Sequence, residues 1–87
     1  MVQRGASLPE QAGPGMVPLD RFVAARLDED PVTSARERAE AEVKRHLLAA
    51  HARTRPFTVH RAGYEFALRV VAGIWADHPD YDPTWRP

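Results

Sequence analysis

The chain has no cysteine. That absence excludes disulfides, thiolate metal ligands and a cysteine nucleophile. It has no excess of charge either, since twelve Lys and Arg balance twelve Asp and Glu. No whole-chain field therefore draws it to nucleic acid or to a membrane surface. Long apolar runs are missing: the longest, Val70 to Ala76, is far short of the roughly 20 residues that span a bilayer. Nothing after Arg4 forms an apolar h-region, so no secretory signal is expected. Strand-like alternation, internal repeats and a Gly-rich phosphate loop are also absent. What is present is a chain of 87 residues, enough for one small domain. Such a domain buries only about 60% of its unfolded surface, so its core is small. With 44% hydrophobic and 28% charged residues the composition is globular rather than disordered. The expected setting is cytoplasmic, with no membrane association.

Residues 1–17 carry Gly5, Gly13, Gly15, Pro9 and Pro14 and show no apolar period. They are expected to form a disordered N-terminal arm, because they bury too little to offset chain entropy. Met16 stands just before the patterned residues and is an alternative start to Met1. A single helical domain is expected over 18–87. Leu19, Phe22, Val23 and Leu27 share one helix face, which predicts a first helix over about 18–28. Asp28, Glu29 and Asp30 oppose the negative end of a helix dipole, so the spacing assigns them to the start of the next helix. That second helix, about 32–53, has two competing starts. One is Asp30 with Pro31 at the first helical position; the other is Ser34 with Glu37 three residues on, a capping box. Ala35, Ala39, Val43, Leu47 and Ala50 supply its stripe. Pro56 supplies the stop. The third helix, about 58–76, carries Tyr64, Ala67, Leu68, Val71, Ile74 and Trp75 on one face. Phe66, Val70 and Gly73 broaden that face. Pro79 ends it, and the Pro-rich tail places Tyr81 and Trp85 one turn apart, ready to fold back.

Three blocks occur in order: Ala25-Arg26-Leu27-Asp28-Glu29-Asp30, then Ala41-Glu42-Val43-Lys44-Arg45 leading to Ala50-His51, then Ala76-Asp77-His78-Pro79-Asp80-Tyr81 closing on Trp85. In these the chain resembles a family of small actinomycete proteins of unknown function, over about residues 17–87. The closing block is the most specific. Three departures stand out. The stretch that usually separates the first two blocks is nearly absent, and Thr54 to Arg61 holds none of the cysteine found in many members there. Trp75 also stands where Tyr is common. The resemblance implies a compact bacterial intracellular protein. It brings no activity, and no metal role transfers.

Four features were weighed as sites. Asp77, His78, Asp80 and Asp82 offer hard oxygens and an imidazole, but without the glycine and distal glutamate of a calcium loop. Capping of turns explains them more simply, so no metal and no cofactor is expected. Between Val43 and Arg69 stand Lys44, Arg45, Arg53, Arg55, Arg61 and Arg69 against Glu65 alone, with His46, His51 and His60 among them. Arg45, Arg53, Arg55 and Arg61 are the candidate phosphate contacts of a nucleic-acid accessory protein. Pairing with the acidic 28–30 and 77–82 segments is the plainer explanation. Ser34 is better explained as a cap than as a nucleophile. His46 and His51 are five apart rather than the four that put two ligands on one helix face, so no enzyme is expected. Finally, the third helix offers more apolar surface than an alanine-rich second helix covers. Phe66, Val70, Ile74, Trp75 and Trp85 are the candidate apolar anchors for a protein partner or for self-association.

The expected fold is all-α. Helices two and three form an antiparallel hairpin, the first helix packs on it and the aromatic tail closes one end. One helix through the first two segments, kinked at Pro31, is the alternative. The expected function is a non-catalytic protein–protein interaction module or assembly subunit, with nucleic-acid association over 44–69 as the alternative.

Overall fold

The computed structural model describes residues 16–87. Helix α1 spans Leu19–Glu29, α2 Ala35–Arg53 and α3 Val59–Ala72; α3 runs on into a 3-10 turn at Gly73–Trp75, and a second 3-10 turn lies at Pro83–Trp85. No strand occurs among the described residues, and the all-α expectation holds. The reading of 1–15 as a disordered arm, with the question of the start, lies outside the described residues.

Pro18 precedes α1, and its carbonyl accepts from Phe22 N at 2.9 Å. Leu19, Phe22, Val23 and Leu27 turn inward as their spacing predicts. Asp28 and Glu29 do not join the second helix: they stay in α1, and Asp30 is its C-cap. Three partners outweigh the dipole. Arg26 Nη2 donates to Glu29 Oε2 at 2.7 Å, Arg45 Nη1 lies 3.0 Å from Asp28, and Trp75 Nε1 donates to Asp30 Oδ2 at 3.0 Å. Each such contact is worth up to about 1 kcal/mol, as large as the dipole penalty it meets. Residues 31–34 then break the chain, so α1 and α2 are separate helices rather than one kinked rod.

Ser34 is the start of α2. Its side chain accepts from Glu37 N at 3.1 Å. Glu37 Oε1 reaches back one residue further than a capping box requires, accepting from Thr33 N and Thr33 Oγ1, both at 2.7 Å. The core-facing residues of α2 are Ala41, Lys44, Leu47, Leu48, Ala50 and His51. Ala35, Ala39 and Val43 are exposed, which corrects the expected stripe. A spacing of four drifts by about 40° at every step, whereas 41, 44, 48 and 51 alternate three and four and hold one direction. Thr54 closes the helix, its Oγ1 donating to His51 O at 2.7 Å.

The hairpin is antiparallel: His51 of α2 meets Glu65 of α3, while Lys44, earlier on α2, lies over the ring of Trp75, later in the chain. By the same reasoning α1 runs against α2. Asp28 meets Arg45, and the alanines Ala24, Ala25, Ala49 and Ala52 line the groove between the two helices. The core comprises Phe22, Val23, Leu27, Leu68, Ala72, Tyr81 and Trp85. Phe22 is its hub, with ring centroids 6.4 Å from Trp75, 6.0 Å from Tyr81 and 5.1 Å from Trp85. Tyr81 stands edge-on to Trp85 at 5.4 Å. Edge-to-face contacts of this kind add about 0.5–1.5 kcal/mol each to the area they bury. The tail thus folds back as its aromatic spacing predicts. Trp85, only 8% exposed, belongs to the core and is not a surface anchor, which corrects that assignment.

Candidate functional site

The basic candidates separate under inspection. Arg45 is held by Asp28. Arg61 donates from Nη1 to Thr54 O at 2.9 Å, so it caps the last turn of α2; its Nε also lies 3.9 Å from Glu65. Thr58 completes the corner, accepting from Arg61 N and donating to Arg55 O. Arg53 and Arg55 are exposed, and neither makes an ion pair with a described residue. Of the four, Arg61 is therefore structural, while Arg45 sits in a surface ion pair worth under about 1 kcal/mol.

In the acidic tail, Asp82 and His78 are structural as well. Asp82 Oδ1 accepts from Thr84 N at 2.9 Å and Thr84 Oγ1 at 2.8 Å, a cap as expected. His78 turns inward: its Nδ1 accepts from Asp80 N at 3.0 Å, and Arg26 Nη1 lies 3.1 Å from the same nitrogen. No group of three His, Asp or Glu side chains converges on a metal-sized site among the described residues. Arg26 is itself buried, stacked over Phe22 at 5.3 Å, and its Nε has no hydrogen-bond partner among the described residues. The most specific block of the C-terminal sequence, from Asp77 to Trp85, is thus accounted for by a packed aromatic and arginine cluster around Phe22.

What remains open is the outward face of α3. Its inward face carries Tyr64, Leu68, Val71, Ala72 and Trp75. On the opposite side Val59, Phe66, Val70 and Ile74 are 87%, 58%, 53% and 58% exposed. Gly63 and Gly73 lie along the same line, and a side chain added at either meets nothing. The positions 59, 63, 66, 70 and 73 alternate four and three, a second apolar stripe at helical period. Between the two apolar lines stand His60, Glu65 and Arg69, so α3 has two apolar faces, of which one fills the core. Of the five expected anchors, Phe66, Val70 and Ile74 stand together on this face. Trp75 does not: it packs on Phe22, bonds Asp30 and lies under Lys44. Val59 belongs with the three, although the expected anchors omitted it.

At the head of the stripe Phe57 is fully exposed and takes φ 65°. A bulky residue in the left-handed region is strained by roughly 1–2 kcal/mol. The ridge is flanked by concavities: one beside Phe57, Thr58 and Ala62, one beside Phe66 and Arg69, and one of about 380 Å³ beside Leu47, Gly63 and Ala67. A ridge between grooves is the form one helix offers to another.

The fold and this surface define a small domain of three α-helices with an apolar face that no other element covers among the described residues. A family model described as "Family of unknown function (DUF6221)" matches residues 31–87, and the chain belongs to that family. No curated protein and no solved structure matches it. The matched stretch holds α2, α3 and the tail; α1 precedes it. No helix among the described residues is long and apolar enough to cross a membrane.

Proposed function

We propose that this chain is a non-catalytic interaction module or assembly subunit that docks through the outward face of α3. The observation that carries the reading is the second apolar stripe, Val59, Phe66, Val70 and Ile74, on a helix whose other side already fills the core. Three of these side chains are half exposed and Val59 nearly fully so, and covering what remains in water would gain roughly 1–2 kcal/mol each. A contiguous patch of this kind marks a contact surface. A bacterial cytoplasm is the compartment that suits a cysteine-free chain with the three sequence blocks above.

The test is affinity capture from host cells with the wild-type chain and with Phe66→Glu. The reading expects a defined protein partner, or a second copy, that is lost with Phe66→Glu while helicity by circular dichroism is unchanged. A partner set identical for both chains overturns it. Nucleic-acid association is the alternative, and only Arg53 and Arg55 still support it. It expects salt-sensitive binding that survives Phe66→Glu and disappears when those two arginines are neutralised.

A further inference from the structure

We infer that the occupant of the outward α3 face is a second copy of this chain, laid antiparallel across a two-fold axis near Phe66. The inference rests on the docking role just proposed and adds its partner and geometry. Three observations support it. First, the charges at the two ends of α3 are opposite. Arg53 and Arg55, exposed and in no ion pair with a described residue, precede its N-terminal end, and Asp77 and Asp80 follow its C-terminal end. In an antiparallel pair each basic end lies beside the acidic end of the other copy. A parallel pair would set like charges together. The zero net charge of the chain removes any overall repulsion between copies.

Second, the stripe is self-complementary about Phe66. Antiparallel pairing places Val59 against Ile74 of the second copy and Gly63 against Val70 of the second copy, with the two Phe66 rings at the axis. The glycines let the backbones approach, because space at Gly63 and Gly73 is open. Large side chains on one helix thus face small ones or grooves on the other, as ridge-and-groove packing requires. Arg69, exposed and in no ion pair with a described residue, comes near Glu65 of the second copy on the same flank. Third, the area is adequate. The four stripe residues Val59, Phe66, Val70 and Ile74 present roughly 450 Å² per copy, the size of a weak, concentration-dependent association. A two-fold interface uses the same patch twice, so a single apolar face suffices.

The experiment uses the full chain in sedimentation velocity over about 1–200 μM, a range that brackets association through an interface of this size. The expected result is a dimer, with Phe66→Glu and, separately, Val70→Glu each weakening self-association about tenfold or more at unchanged helicity. Because the chain has no cysteine, single cysteines report the direction of pairing. Val59→Cys and Ile74→Cys, oxidised as a mixture, should give the mixed disulfide, whereas either variant alone should stay uncrosslinked. A monomer throughout the range overturns the inference. So does a Val59→Cys chain that crosslinks to itself as readily as the mixture, since that is parallel pairing. If the chain is monomeric yet a different protein is captured in a Phe66-dependent way, the docking role stands and the second copy is wrong. If neither self-association nor Phe66-dependent capture occurs, both fall.

Discussion

Arg26 is the residue whose replacement separates packing from charge in this fold. Its guanidinium is buried, with Nε left without a partner among the described residues. Nη2 bonds Glu29 at 2.7 Å, Nη1 reaches the His78 ring, and the group stacks on Phe22. The Glu29 carboxylate is 63% exposed, so that pair contributes under about 1 kcal/mol. The stacking adds roughly 0.5–1 kcal/mol and the His78 contact about 1 kcal/mol. Against these stands an orphaned buried donor, which costs about 1–3 kcal/mol. The polar contributions therefore nearly cancel, and what remains is the aliphatic stem packed among buried neighbours. Arg26→Met keeps that stem and removes the orphan. Its unfolding free energy should lie within about 1 kcal/mol of wild type. Arg26→Ala keeps neither stem nor contacts and should lose about 2–4 kcal/mol. Urea denaturation followed by circular dichroism reads both values on one scale, and in a domain this small each kcal/mol moves Tm by roughly 4–8 °C. Equal losses in the two variants would refute the reasoning, because the guanidinium contacts would then be dominant.

Phe57→Gly should stabilise the monomer by about 1 kcal/mol in the same denaturation assay, since glycine takes positive φ without strain and Phe57 buries nothing; a loss would mean that the ring packs in solution. Ser34→Ala should cost about 1 kcal/mol through the lost cap on Glu37 N, and an unchanged midpoint would count against that cap. Glu37 is held below the ordinary carboxylate value by its hydrogen bonds to the Thr33 side chain and backbone. A lowered folded-state value means that its contribution is complete above the ordinary carboxylate range and disappears as pH falls through the folded value. Thermal melts of wild type and Glu37→Gln should accordingly converge at acid pH and separate toward neutrality, and a constant gap across that range contradicts the assignment.

Helical content and the fold-back of the tail were legible because they rest on local rules. Ser34 with Glu37, Pro56 as a stop and the spacing of Tyr81 and Trp85 each act within one or two turns. Two of the differences involve partners distant in sequence. Asp28, Glu29 and Asp30 look like helix starters until Arg45 and Trp75 are brought beside two of them. Trp85 looks like a surface anchor until Phe22, far earlier in the chain, receives it. Val43 and Val59 show a different limit. Both are apolar residues on helices, and periodicity alone does not say which of two apolar lines faces the core. On α3 both lines obey the helical period, so only the packing of α1 and the tail reveals that Leu68 and Ala72 are inside and Phe66 and Val70 outside.

The extent of the family match sharpens the physical account of that choice. The matched residues, 31–87, contain α2, α3 and the tail, yet Phe22, Val23 and Leu27, a large part of the core, come from α1. Across α2 the hairpin contributes only half-buried Leu47 and Leu48, alanines and a buried His51. An alanine-rich helix buries little area, and the hydrophobic gain scales with area. Helix α1 therefore supplies what α2 lacks on one side of α3, with Phe22 seated between Trp75, Tyr81 and Trp85. The opposite side of α3 faces the same deficit, and no described element of the chain covers it. The inner line is closed by α1 within the chain; the outer line obeys the same arithmetic and is closed by no element among the described residues.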